Sequence, residues 1–374
     1  MANHYIWQEP VLFDLSKPND AKRLNRLKSE TKVFCYDAFF QIANNLFELE
    51  YPQHIKNDNK RNEYITNLSR ERDTFGIWIF FPWSHELVLF PDKETYYKLR
   101  TFRYLNLIKQ NDLQILSQAK IAVIGMSVGS NVTLALVRNS IGKSFAISDL
   151  VIPNVSNIGR ASFDMRDLNS TKLNAIAKQI SYLDPFVEQV HFPEGINEET
   201  VDKLAAFQPD IVIDEIDSMR KSVLLRKLCK EKGIAYVSAS DVHDSVIIEV
   251  LRHDRNKRLG LLASTVSDAK ADKLYRGMLT EDEESLYFAQ SVGFLNLSPE
   301  LIQSGLEIGK TLSGIPQLGS TAICASGIVA AVCREILLGR KLPSGLYSYP
   351  LLKSPSKFHP ARLSKLLKAI IKIR

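Results

Sequence analysis

The sequence predicts an α/β protein: a doubly wound, mainly parallel sheet with helices on both faces, preceded by a smaller α+β module. Three observations predict it. After residue 95 short apolar runs (IAVIG, FAISD, VEQVHF, DIVIDEID, IAYVSAS) alternate with helical patterns, as expected of buried strands joined by crossover helices. A glycine-bearing turn, GMSVG, closes the first of these runs. The chain has 374 residues, 45% of them hydrophobic; this fills a core and exceeds the roughly 250 to 300 residues that one core usually holds.

Residues 1–95 read as the smaller module, for recognition or dimerisation: a helix around 32–50, a polar stretch, and then GIWIFF and ELVLF as a hairpin around the turn PWSH. An exposed edge at GIWIFF would suit addition of a peptide strand, although aromatic strands more often pack into a core or a dimer interface. Residues 96–340 form the main domain, with a nucleotide-binding core over 120–262 and an insertion or lid over 263–313. In the core, IAVIG is the first strand, Ser130 and Asn131 open a helix, FAISD is the second strand, and LNAIAKQISYL is the next helix. DIVIDEID and IAYVSAS are later strands, separated by the helix SVLLRKLCKEKG. Residues 341–374 form a basic tail whose end, LSKLLKAIIKIR, has apolar residues at helical spacing and is expected to dock on its own domain.

Bulk properties exclude several classes. The longest dense apolar stretch is read as 76–83, far short of the roughly 20 residues that span a bilayer, and the N-terminus lacks a basic-then-apolar leader. No membrane partner is expected. Four cysteines, Cys35, Cys229, Cys324 and Cys333, form no C-x-x-C pair, so a disulfide framework and a zinc site are disfavoured and a reducing cytoplasm is expected. The net charge of +6 permits an anionic partner, such as a nucleotide or tRNA, without demanding one.

In an open α/β sheet, ligands bind beyond the carboxyl ends of the strands. Gly125, Ser127 and Gly129 stand at the first such end, where helix-terminal amides suit a phosphate, although close packing alone also explains glycines there. Asp149 ends the second strand, twenty residues after Gly129, about where a carboxylate reaches ribose hydroxyls.

The stretch that follows resembles the ThiF, MoeB and HesA family, adenylyltransferases akin to ubiquitin-activating enzymes. The residues that carry it are Asp149, Ser156-Asn157-Ile158-Gly159-Arg160, Asp167 through Lys172, Asp184-Pro185, Asp214 and Asp217 in DIVIDEIDS, and the closing IPQLGSTAICASG. The resemblance implies a Rossmann-like fold and ATP-dependent activation of a carboxylate as an acyl-adenylate, with release of pyrophosphate. It assigns Arg160 and Lys172 to the ATP phosphates, Asp217 to Mg²⁺, Asp149 to the ribose, Asn157 to the phosphate surroundings and Arg103 to the γ-phosphate of a partner subunit. ATP and Mg²⁺ are therefore the expected cofactors, and a homodimer the expected assembly. The substrate is a carboxylate: a small acid, a peptide or a carrier-protein C-terminus. Departures are the missing catalytic cysteine, the missing zinc cysteines and Ser218 in place of an asparagine. Two alternatives stay open: an NAD-dependent oxidoreductase, because Asp149 suits an NAD ribose equally, and a non-catalytic nucleotide-binding scaffold.

Overall fold

The computed structural model describes residues 6–293 and 296–351. It divides into two units: residues up to Leu113 together with 177–186, and residues 114–176 together with 187 onward. The first unit therefore runs past the change of texture at residue 95 and reclaims a later segment, because its core is completed by side chains from that segment.

In the first unit, β1 (Val11–Asp14), α1 (Pro18–Glu30), β2 (Phe34–Asp37), α2 (Phe39–Glu50), α3 (Asp58–Ser69), β3 (Ile77–Phe81), β4 (Glu86–Phe90) and α4 (Lys93–Thr101) follow one another, and α5 (Gln110–Gln118) leads out of it. The sheet has the order β1-β3-β4-β2, with β2 parallel to β4 and the other pairs antiparallel. Alternation along β3 sends Phe80 to Phe13, Leu24 and Leu87 on one face, and Ile77, Ile79 and Phe81 to Phe90 and Phe186 on the other. The hairpin expected at PWSH is present. GIWIFF, however, is no edge: β3 lies between β1 and β4 and has no free main-chain side to offer a peptide. The helix expected over 32–50 begins only at Phe39, because Phe34–Asp37 pair with β4 as a strand. The later segment is tied in through Trp7 Nε1, which donates to Ser181 Oγ, and through the Arg100–Asp184 ion pair at 2.7 Å.

The second unit contains β5 (Lys120–Ile124), α6 (Val128–Arg138), β6 (Ser144–Ser148), α7 (Val155–Ile158), α8 (Lys172–Leu183, whose later part belongs to the first unit), β7 (Glu188–Phe192), α9 (Thr200–Phe207), β8 (Ile211–Asp214), α10 (Met219–Lys232) and β9 (Ala235–Val242). It continues with β10 (Ser245–Arg252), α11 (Asp268–Tyr275), α12 (Glu281–Ser291), α13 (Pro299–Glu307), α14 (Gly319–Leu337) and β11 (Gly345–Pro350). The seven strands run in the order β11-β10-β9-β8-β5-β6-β7. The run from β9 to β7 is parallel and β10 is antiparallel to both its neighbours. Every residue of β6 and β8 is buried, which is why these strands read as unbroken apolar runs. Ala122, Ile124, Val212 and Tyr236 meet Leu204, Leu225 and Leu228 of α9 and α10 on one face. On the other, α14 packs on α6, β9 and β10.

Three features depart from the sequence-based expectations. Residues 263–313 are built largely of three helices with apolar clusters of their own: Leu274 and Tyr287 pack against Val223, and Val292 and Leu297 against Ile247. The tail expected from residue 341 begins with a strand, β11, paired with β10; the basic helix read over LSKLLKAIIKIR lies outside the described residues. The longest apolar stretch is α14, not residues 76–83: α14 is long and apolar enough to cross a membrane, but Ala322, Ala325, Val329, Cys333 and Ile336 form its buried core face.

Candidate functional site

The site is assembled at the carboxyl ends of β5, β6, β8 and β9. After β5, Gly125 takes φ +92°, a conformation that favours glycine, and donates its N–H to Ser148 O at 2.8 Å. A Cβ there would stand 2.4 Å from Glu215 O, and one on Gly129 would meet the Glu215 side chain at 3.3 Å. Both glycines of the turn therefore admit the chain that follows β8. Asp149 fixes the turn from the other side: Oδ2 accepts the Met126 N–H at 2.8 Å and Oδ1 the Val151 N–H at 2.8 Å.

Lys172, at the start of α8, is only 7% exposed. Its Nζ donates to Ser127 Oγ at 2.8 Å, and among the described residues no carboxylate pairs with it. The loop that carries Arg160 is strapped to α6: Asn131 Nδ2 donates to Arg160 O at 2.7 Å, and Ser162 Oγ donates to Asn131 Oδ1 at 2.6 Å. Arg160 Nη1 donates to Ser156 O at 3.0 Å, whereas its Nε is shut off from solvent with no hydrogen-bond partner among the described residues. Asn157 is buried, and its Oδ1 accepts the Asn154 N–H at 2.9 Å in a reciprocal cap of α7. Its amide oxygen thus holds the turn of this loop. Asp167 does similar work in the next turn, accepting the Asp164 N–H at 2.9 Å.

At the end of β8, Asp214 is buried and accepts the Tyr236 hydroxyl at 2.7 Å and the Ile216 N–H at 3.1 Å. Asp217 is exposed. Between them, the Glu215 carboxyl is held well above the usual carboxylate range, first by burial and then by the charges of Asp214, Asp241 and Asp217. Asp241, near the end of β9, is also raised, chiefly by burial; a hydrogen bond from Gln317 Nε2 at 2.9 Å and the charge of Arg160 oppose the rise.

The second unit therefore brings Gly125, Ser127, Gly129, Asp149, Asn157, Arg160, Lys172 and Asp217 to one edge of its sheet. Arg103 is exposed in the first unit, in the single turn Phe102–Tyr104, with its guanidinium over the Phe102 ring at 5.6 Å. Sequence reasoning passed over Glu215, Asp241 and Gln317. Asp241 carries the same signal as Asp149, an acidic residue at the end of an apolar run; Gln317 sits in an irregular segment and gives none. Among the cysteines, Cys229 and Cys333 are buried, and burial pushes Cys333 up to about 12. Cys35 and Cys324 are exposed, so core packing accounts for two of the four and not for all. Among the described residues, no group of three or more His, Cys, Asp or Glu side chains is arranged to hold a metal.

Comparison with known proteins matches residues 100–363 to the sequence model of the ThiF family. A Mycobacterium tuberculosis protein described as uncharacterised, MT1398, is 26% identical over 268 residues, covering 72% of this chain and 37% of its own length. The chain thus spans just over a third of that relative. Among solved structures, the E. coli tRNA N6-threonylcarbamoyladenosine dehydratase TcdA is 19% identical with a TM-score of 0.45, over 65% of this chain and 96% of its own. E. coli MccB, solved with ATP, is 14% identical with a TM-score of 0.45, over 70% of each chain.

Proposed function

This chain belongs to the ThiF family, and from that premise we propose that it is an ATP-dependent adenylyltransferase that activates a carboxylate. The observation that carries the reading is Lys172, buried beside the Gly125–Gly129 turn with no carboxylate partner among the described residues. A buried charge without a counter-charge is costly, and a bound anion offsets that cost. Arg160, half-buried and with an Nε that has no hydrogen-bond partner among the described residues, adds a second cation nearer the surface.

In this reading the amides that open α6 and the Lys172 ammonium receive phosphate oxygens. Asp149 contacts the ribose while still holding Met126 and Val151, since a carboxylate has about four acceptor positions and two are used. The substrate carboxylate oxygen attacks the α-phosphorus, the bond to pyrophosphate breaks, and pyrophosphate leaves with the electron pair. Arg160 and Lys172 offset the charge that spreads over the phosphates in this step. A nucleophile then attacks the acyl carbon and AMP departs.

Mg²⁺ fits the donors present. Asp217 is exposed, and its charge is among those that raise the Glu215 and Asp241 carboxyls, a repulsion that a divalent cation relieves. One carboxylate completed by phosphates and water is an ordinary Mg²⁺ environment. When bound, the ion would neutralise charge on the departing pyrophosphate.

Calorimetry with ATP and Mg²⁺, run beside NAD, tests the reading on wild type and Asp217→Ala. ATP binding that weakens in the variant, with NAD silent, supports it; NAD binding without ATP binding would overturn it. ATP bound without pyrophosphate release across broad carboxylate pools would favour a scaffold. A reducing cytoplasm is part of the proposal, in keeping with the exposed thiols of Cys35 and Cys324. So is a homodimer: Val151, Val155, Met165, Ile315 and Ile323 are exposed apolar residues, and Gly319 sets the start of α14 directly against Gly159 in the Arg160 loop. Sedimentation velocity should show a dimer for wild type and a shift toward monomer for Ile323→Asp.

A further inference from the structure

The turn that carries Asp217 is held by a line of buried polar groups in the second unit. Asp214, at the end of β8, accepts the Ile216 N–H at 3.1 Å and the Tyr236 hydroxyl at 2.7 Å. Tyr236 lies on β9 opposite Val212 and is fully buried. Its oxygen stands 3.3 Å from Ser222 Oγ, to which Arg226 Nε donates at 3.1 Å. A carboxylate only accepts and a guanidinium only donates. The two hydroxyls between them therefore point one way: Arg226 donates to Ser222, Ser222 to Tyr236, and Tyr236 to Asp214.

Arg226 is itself fixed on its far side. Its Nη1 stands 2.7 Å from Glu249 Oε2 of β10 and donates to Leu261 O at 3.1 Å, and its guanidinium lies over the Tyr236 ring at 4.4 Å. Glu249 Oε1 accepts the Ala263 N–H at 2.6 Å, and both members of the pair are buried. Leu261 and Leu262 belong to the apolar cluster through which α11 and α12 pack on Val223 of α10. The line thus runs from the segment that leads into α11 to the turn that holds Asp217. A buried ion pair adds little stability over an apolar pair of similar volume, although removal of one partner alone is strongly destabilising. What this pair supplies and an apolar pair could not is direction, since Arg226 is the donor that starts the line.

We propose that Arg226 is a positioning residue for Mg²⁺-dependent ATP binding. Through Ser222, Tyr236 and Asp214 it holds the turn of Asp217, and through Glu249 and residues 261–263 it makes that turn depend on the seating of α11 and α12. This rests on the adenylation reading above. Once the Tyr236 donor is lost, the Asp214 carboxylate is free to rotate off the Ile216 N–H. Asp217, one residue further on, then meets a bound cation in fewer of its conformations.

Calorimetry on the full chain tests this with two probes, AMP without Mg²⁺ and ATP at rising Mg²⁺. Tyr236→Phe removes a hydroxyl from the middle of the line. Arg226→Met combined with Glu249→Gln removes both charges together and keeps an acceptor for Ala263. Each of these proteins is expected to bind AMP within about twofold of wild type. Each should need about 10- to 100-fold more Mg²⁺ for half-maximal ATP binding, the usual cost of losing a group that orients a metal ligand. All three substitutions together should need no more Mg²⁺ than the worse of the two proteins, since both break the same line. A merely structural role would weaken AMP and ATP alike, and that result overturns the proposal. So does an unchanged Mg²⁺ requirement in Tyr236→Phe, or one that multiplies when the substitutions are combined. Should the charge-pair protein fail to fold, Tyr236→Phe alone decides. If wild type binds neither AMP nor ATP, the adenylation reading falls and the proposal with it; if wild type binds ATP equally with and without Mg²⁺, that reading stands and the proposal falls.

Discussion

Lys172 stands where water scarcely reaches it, and among the described residues no carboxylate answers it. In the ligand-free protein its charge is a liability, and with a phosphate beside it a source of affinity. Lys172→Met keeps most of the volume and removes the charge. It is expected to raise Tm modestly and to weaken ATP binding by about 100-fold, or about 2.7 kcal/mol; calorimetry and thermal melting together check both signs. Asp214 is a residue of the opposite kind, buried and satisfied. Tyr236→Phe would leave its Oδ2 without the 2.7 Å donor, and the loss is expected to cost about 1–3 kcal/mol in urea unfolding. The place of Asp149 at a strand end was legible from spacing, because the distance along the chain from strand end to strand end is set by helix length, whereas Lys172 was singled out only by the family resemblance. The Tyr236–Asp214 bond was not legible: it depends on which strands lie side by side, and β8 and β9 are joined through a helix.

At the scale of elements, the parallel strands and their helices were legible because burial on both faces leaves long apolar runs that no other structure explains. The first 95 residues were harder to read. α3 buries no residue and α1 buries only Leu24, so neither shows a firm apolar stripe, and β1 and β2 have four residues each, too few for a clear alternation. The turn after β5 was legible in position but not in purpose, since nothing local reveals that its glycines make room for Glu215. The start of α14 repeats the lesson. A Cβ on Gly319 would stand 2.3 Å from Gly159 O, so Gly319→Ala must displace either α14 or the loop that aims Arg160. A fall of several degrees in Tm and at least tenfold weaker ATP binding are expected, read by melting and calorimetry; the adjacent Ser320→Ala serves as the control.

At the scale of the whole molecule, His191 of β7 makes one contribution to the dependence of stability on acid, opposed by the raised carboxyls of Glu215 and Asp241. Burial lowers its imidazole from 6.5 to about 4 in the folded chain. The unfolded chain therefore takes up the proton first. This contribution to stability is complete above about pH 6.5 and is lost as pH falls toward 4. Urea midpoints measured between pH 7.5 and 4 should fall more steeply across that window in wild type than in His191→Leu, the difference being the histidine's share. The division into units was only half legible. Composition changes where one texture of sequence gives way to another, but a unit is defined by what packs together, and residues 177–186 pack with a unit that had left the chain at Leu113.

That return has a consequence for synthesis. A ribosome making this chain releases Leu113 before it has made the ten residues that finish the first unit. At about 5–20 residues per second the wait is several seconds. In that interval β5, α6 and β6 emerge, while the partners of Tyr182, Asp184 and Phe186 stand uncovered. The amino-terminal unit is thus begun first and finished late, and its completion reports that the nucleotide turn has already been made.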